Sequence, residues 1–78
     1  MARVLLFGRL GDVAGWRERE VEAPSVFALR DQLAESPALA EALSRPGVQV
    51  ALDKALIRHD APLSPASEVA FLPPMSGG

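Results

Sequence analysis

Cysteine is absent from this 78-residue chain. No disulfide and no thiolate metal site can form, and sulfur cannot be carried as a cysteine persulfide. Histidine occurs once, as His59, so a zinc site would have to recruit several carboxylates, and no bound metal is expected. Long apolar runs are also missing. None approaches the roughly 20 residues that span a bilayer, so no membrane is expected as a partner. The stretch Val4-Leu5-Leu6-Phe7 behind Met1-Ala2-Arg3 is too short for a signal sequence, which leaves the cytoplasm as the expected compartment. The eight basic residues (Arg3, Arg9, Arg17, Arg19, Arg30, Arg45, Lys54 and Arg58) are scattered and the net charge is only −2. Nucleic-acid binders gather such charge on one face, so nucleic acid is not an expected partner either. There is no Ser/His/Asp set, and Gly8, Gly11 and Gly15 have the wrong spacing for a dinucleotide fingerprint.

What the chain has is one small domain. Hydrophobic residues make up 49% of it, but thirteen of them are alanine, so stability must come from packing a modest set of larger side chains. Arg3 to Arg9 reads as a strand, and its consecutive Leu5, Leu6 and Phe7 suggest cover on both faces or a central position. Arg9 to Ala14 suits one helical turn. Trp16 to Glu22 alternates like a half-exposed strand. Ser25 is a natural N-cap, with Val26, Leu29 and Leu33 on one helical face. Ser36-Pro37 restarts the helix with a second serine cap and a proline at its first position. Leu39 and Leu43 extend the apolar stripe, and Pro46-Gly47 stops it. Val48 to Leu52 is a strand, Asp53-Lys54 a two-residue turn into Ala55-Leu56-Ile57-Arg58, and Glu68 to Leu72 the closing strand.

Strand, strand, helix, strand, short strand, strand is the order of an α+β, ubiquitin-like β-grasp. The expectation is a mixed sheet of four to five strands packed on one main helix. Residues 1–74 form the domain, and residues 75–78 are a flexible C-terminal arm.

That arm is the most informative feature. Phe71-Leu72-Pro73-Pro74-Met75-Ser76-Gly77-Gly78 runs from an apolar strand through a stiff Pro-Pro pair to two residues without a Cβ, which can thread a channel too narrow for side chains. Met75 to Gly78 spans roughly 13–14 Å when fully extended, at about 3.3–3.6 Å per residue. Pro73-Pro74 favours an extended path. A disordered end or a cloning remnant is the plain alternative.

Together with the rest of the ending, Glu68-Val69-Ala70-Phe71-Leu72-Pro73-Pro74-Met75-Ser76-Gly77-Gly78 resembles the C-terminal signature of the molybdopterin synthase small-subunit, sulfur-carrier (MoaD) family. That signature has the form E-V-A-F-x-P-P-V-[ST]-G-G, and Met75 replaces its valine. The opening Val4 to Gly15 is also similar to that family. Val50-Ala51-Leu52-Asp53-Lys54 and Ser64-Pro65-Ala66-Ser67 depart from its usual turns.

The resemblance implies a protein cosubstrate without catalytic side chains of its own. The Gly78 carboxylate would be adenylated by an E1-like activating enzyme that consumes ATP, then converted to a thiocarboxylate by a sulfur donor protein. No cofactor would be bound permanently, and the acyl-AMP on Gly78 would be transient. The tail (Pro73, Pro74, Met75, Ser76 and Gly77) would enter the large subunit of molybdopterin synthase, in a complex of two small subunits on a dimeric large one. There sulfur would pass to a cyclic pyranopterin phosphate precursor to build the molybdopterin dithiolene. Leu72, Phe71 and Phe7 are the candidate partner-interface residues. Leu72, beside the arm, is favoured for that role, Phe71 leans towards core packing, and Phe7 is divided between core and the edge of an apolar patch.

Three rivals remain: a carrier of the same fold for another pathway such as thiamine synthesis, a ubiquitin-like modifier joined through Gly78, and an interaction module with an inert tail. The Pro-Pro pair argues against the thiamine-pathway carrier. Solvated turn charge is the preferred reading of Lys54 and Arg58 over contact with an acidic partner. His59, beside Asp60, is read as incidental rather than as an acid–base group, and Trp16 as packing.

Overall fold

The computed structural model describes residues 1–74. The chain runs β1 (Ala2–Leu6), α1 (Arg9–Ala14), β2 (Glu18–Val21), α2 (Val26–Leu33), α3 (Pro37–Leu43), β3 (Gln49–Leu52), β4 (Ala55–Ile57) and β5 (Glu68–Leu72). Five strands make one sheet in the order β2-β1-β5-β3-β4. β1 pairs antiparallel to β2 and parallel to β5. β3 is antiparallel to both β5 and β4. This is the expected β-grasp with a mixed sheet, and β5, last in sequence, lies at its centre.

Strand alternation divides the sheet into two faces. Ala2, Val4 and Leu6 of β1 and Val69 and Phe71 of β5 point towards the helices and are buried. Val50, Leu52 and Ile57 pack on the same cluster from the hairpin side. Val26, Leu29 and Leu33 of α2 and Leu39 and Leu43 of α3 close the core from above, as their helical spacing predicts. Trp16 is half-buried against this core, with the Arg19 guanidinium 4.4 Å from its ring centre, so its role is packing.

The expected single main helix is two helices. Pro37 has no N–H to donate, and the residue before a proline is pushed out of the helical region. Ser36 accordingly takes φ −85°, ψ 117°, and α3 starts afresh with Pro37 in its first turn. The two serine caps differ. Ser25 Oγ accepts the Ala28 N–H at 3.2 Å, whereas the Ser36 side chain makes no capping hydrogen bond.

A second acceptor at the start of α2 comes from far along the chain. Asp60 Oδ1 takes the Phe27 N–H and the Ala61 N–H, both at 2.9 Å. These bonds, led by the Phe27 N–H, hold the Asp60 carboxyl below the ordinary aspartate range. Val26 N–H donates to Ala61 O and Leu63 N–H to Pro24 O, which ties the long loop after β4 to the mouth of α2.

The Asp53-Lys54 turn has both residues at positive φ, 50° and 73°. That is the geometry of a type I′ turn, which matches strand twist but usually selects Asn-Gly. Asp53 partly explains its own presence. Its N–H donates to Glu68 O at 2.8 Å and its Oδ1 accepts the Glu68 N–H at 2.9 Å, stitching the turn to the start of β5. Among the described residues no helix is long and apolar enough to cross a membrane.

Candidate functional site

Pro73 and Pro74, the last of the described residues, are seated by the end of β5 and two distant glycines. Phe71 is fully buried and anchors the strand in the core. Its carbonyl accepts the Phe7 N–H at 3.1 Å, so the parallel β1–β5 ladder extends to the rim of the sheet. Leu72 is half-buried and lies opposite Gln49 of β3. Pro73 then rests on Gly8 and Pro74 on Gly47.

Both glycines are required by backbone and by space. Gly8 has φ 56° and Gly47 φ 90°, a region that favours glycine. A Cβ at Gly8 would stand 3.0 Å from Pro73 Cγ, and one at Gly47 would stand 3.0 Å from Pro74 Cβ. The Pro-Pro pair therefore sits in a slot between two residues that have no side chain. Arg17 secures the Gly8 side: its Nη1 donates to Gly8 O at 3.1 Å, its guanidinium pairs with Asp12, and it lies across Gly11. Neither the two glycine contacts nor the Arg17 clamp is visible in local sequence, because the partners meet only through the fold.

Beside the slot, the sheet face without helices carries three rows of side chains set by the register. Glu20, Arg3 and Glu68 form a charged row, in which Arg3 Nε lies 3.3 Å from Glu18 and its Nη1 3.9 Å from Glu68. Next comes Glu18, Leu5, Ala70, Ala51 and Leu56. The third row, nearest the arm, holds Phe7, Leu72 and Gln49. Phe7 is 44% exposed and Leu56 59% exposed. The alanines in the middle leave a flat apolar floor with larger side chains around it. Exposed apolar surface of this kind, with a polar edge, is suited to contact with another molecule.

Of the expected interface residues, Phe7 and Leu72 lie on this face and Phe71 does not. Phe71 points into the core with no exposed surface, so it cannot touch a partner. That corrects its place in the interface set, since alternation puts Phe71 and Leu72 on opposite faces. Leu5, Ala51, Leu56 and Ala70 belong to the face and escape sequence reasoning, because only the pairing of four strands brings them together. Met75, Ser76, Gly77 and Gly78 lie outside the described residues. His59 and Lys54 are exposed, in the loop after β4 and in the hairpin turn. Among the described residues no group of three His, Asp or Glu side chains is placed to hold a metal ion.

Comparison with known proteins bears on this geometry. The ThiS family model matches residues 4–78. The chain is 38% identical to the molybdopterin synthase sulfur carrier subunit of Escherichia coli, over 100% of both chains. Its fold is similar to the solution structure of small archaeal modifier protein 1 from Methanosarcina acetivorans, with a TM-score of 0.82 and 26% identity, covering 99% of this chain and 95% of that one. It is also similar to a chain in the complex of subunits 1 and 2 of the molybdopterin-converting factor from Helicobacter pylori. There the TM-score is 0.77 and the identity 28%, covering 99% of this chain and 97% of the other.

Proposed function

Because the chain belongs to the ThiS family of ubiquitin-like β-grasp domains, we propose that it is a protein cosubstrate that carries sulfur on Gly78 for molybdopterin synthesis. The observation that carries this reading is the 38% identity, over the whole of both chains, to a sulfur carrier subunit of molybdopterin synthase. A built slot for Pro73-Pro74 beside an exposed apolar face supports it, since a carrier must present its tip and dock its body at once.

A carboxylate is a poor electrophile. An E1-like enzyme joins the Gly78 carboxylate to the α-phosphate of ATP, and pyrophosphate leaves. Sulfur at the sulfide level, supplied by a donor protein, then attacks the acyl carbon and expels AMP, which leaves a thiocarboxylate. With no cysteine in the chain, the acyl group is the one place where it can hold transferable sulfur. The arm next enters the large subunit, where the thiocarboxylate sulfur bonds to a carbon of the cyclic pyranopterin precursor in place of an oxygen substituent. Water then cleaves the acyl–sulfur bond, leaving sulfur on the pterin and restoring the Gly78 carboxylate. The tip is anionic before and after loading, so both partners must offer cations or N–H groups to it.

In this scheme the present chain supplies position. Gly8 and Gly47 fix the base of the arm, and the stiff prolines lower the entropy lost on insertion. The face bearing Phe7, Leu72, Leu5 and Leu56 docks on the large subunit, as a dimeric large subunit carrying two small ones in the cytoplasm. The chain contributes the transferred atom and no catalytic side chain.

The test is intact-mass spectrometry after incubation with a cognate activating enzyme, ATP and a sulfur source. A sulfur-for-oxygen gain located at Gly78 is expected, and an unchanged mass with a competent enzyme sinks the reading. The likeness to an archaeal modifier protein favours one second reading, a ubiquitin-like modifier. It predicts instead isopeptide conjugates between Gly78 and lysines of other proteins.

A further inference from the structure

A cleft of about 410 Å³ lies between α2 and the β3–β4 hairpin, and of the residues that line it the carrier scheme uses Leu56 alone. Its floor is apolar, from Val26, Val48, Val50 and Ile57. Phe27, 39% exposed, forms one wall. Arg30, Arg58 and His59 line it as well, and no Asp or Glu does. The Arg30 guanidinium is held 4.5 Å above the Phe27 ring by a cation–π contact. Among the described residues Arg30, Arg58 and His59 form no ion pair. Asp60, next along the chain, accepts the Phe27 and Ala61 N–H groups, and its charge is also felt by Arg30, more weakly than these bonds.

The cleft opens on the outermost strand of the sheet. β4 has a neighbour on one side only. Its two-residue turn makes Leu52–Ala55 and Val50–Ile57 the hydrogen-bonded pairs, so the Leu56 N–H and C=O point outward from the edge. A free edge with adjacent side-chain room is how extended segments are bound by strand addition.

We propose that the cleft and the β4 edge together bind an extended acidic segment of another protein. The segment pairs its backbone with Leu56, places an apolar side chain between Phe27 and Ile57, and sets flanking carboxylates against Arg30, Arg58 and His59. A small anion fits less well. The nitrogen-bearing side chains are spread along the rim, Arg58 and His59 are exposed, and among the described residues no buried side-chain N or O is left without a partner. Gln49 and Leu56 also line the cleft and border the open face, but the apolar floor lies on the helix-covered side, so the proposal does not depend on the chain carrying sulfur.

Nuclear magnetic resonance titration of the ¹⁵N-labelled full chain tests it. Three probes are used: the peptide Glu-Asp-Val-Ile-Val-Asp-Glu, its amide counterpart Gln-Asn-Val-Ile-Val-Asn-Gln, and inorganic phosphate. The acidic peptide should shift the amides of Phe27, Arg30 and Leu56 to His59. The amide peptide should bind roughly tenfold more weakly or worse, the worth of one charge-assisted contact. Arg58→Glu, at an exposed position, should lower affinity by about the same factor while leaving the rest of the spectrum unchanged. The proposal is overturned by an absence of localised shifts at millimolar peptide, by equal binding of the amide peptide, or by full binding to R58E. The same shift pattern with phosphate alone, or shifts confined to Leu5, Phe7 and Ala70, overturns it too.

Discussion

Phe71 and Phe7 are neighbours across the same parallel ladder, yet they do opposite things. Phe71 faces the helices with no exposed surface, whereas Phe7 faces solvent at 44% exposure. The contrast extends to the two faces of the sheet. On one, Val4, Leu6, Val69 and Phe71 are sealed under α2 and α3. On the other, Leu5, Phe7, Leu56 and Leu72 surround Ala51 and Ala70, which are themselves buried, and among the described residues no helix covers this face. Residues of similar hydrophobicity thus build the core on one face and, in the proposed function, a docking surface on the other, and strand parity decides which.

Substitutions can break this comparison, beginning with the largest effect. Phe71→Ala removes a fully buried aromatic side chain and should cost about 3–5 kcal/mol. In a domain this small that approaches the whole stability, so urea unfolding should show a large fall in midpoint or no folded baseline. Gly8→Ala should cost about 1–2 kcal/mol for the left-handed backbone, with the close approach to Pro73 adding to it. It should also slow sulfur loading more than Gly15→Ala, whose added Cβ meets nothing within 4 Å at a similar positive φ. Equal loading rates for the two variants would remove the slot from the function.

Phe7→Ala should change stability by no more than about 0.5 kcal/mol, as an exposed position, yet weaken binding to the large subunit by about 1–2 kcal/mol in calorimetry. A loss in stability without a loss in binding would reverse the assignment of faces. Lys54→Gly should raise stability by up to about 1 kcal/mol, because it relieves a side chain held at φ 73°.

The smallest effect concerns Asp60. Its carboxyl titrates below the ordinary aspartate range when folded, chiefly because it accepts the Phe27 N–H. Its contribution is therefore present above the unfolded aspartate value and is lost as pH falls through the folded one. The thermal-melting difference between the native chain and Asp60→Asn should persist at neutral pH and fade in the acid range. A difference that grows on acidification would reject the capping role.

Much of the fold was legible locally. Ser25 and the Val26, Leu29, Leu33 spacing announce α2, Pro37 announces the break, and Pro46-Gly47 and Asp53-Lys54 announce their turns. These signals act within a few residues, where backbone preference and side-chain spacing are decisive. The Asp60 cap on Phe27, the two glycine contacts under Pro73-Pro74 and the apolar floor of Ala51 and Ala70 were not legible. Each joins parts of the chain that meet only when the sheet has a register, and alanine has no pattern that separates a floor from a filler. The candidate site was therefore visible in its tail and invisible in its seat.

The central position of β5 also shapes how the molecule comes into being. The β1–β2 and β3–β4 pairs emerge first during synthesis, and no sheet pairing joins β1 to β3 until Glu68–Leu72 is in place between them. Sheet closure waits for the segment that leads into the arm, so a chain interrupted before β5 has two loose hairpins and no seat for a tail. A chain without β5 therefore lacks the open apolar face as well, because Ala70 and Leu72 of that strand are part of it.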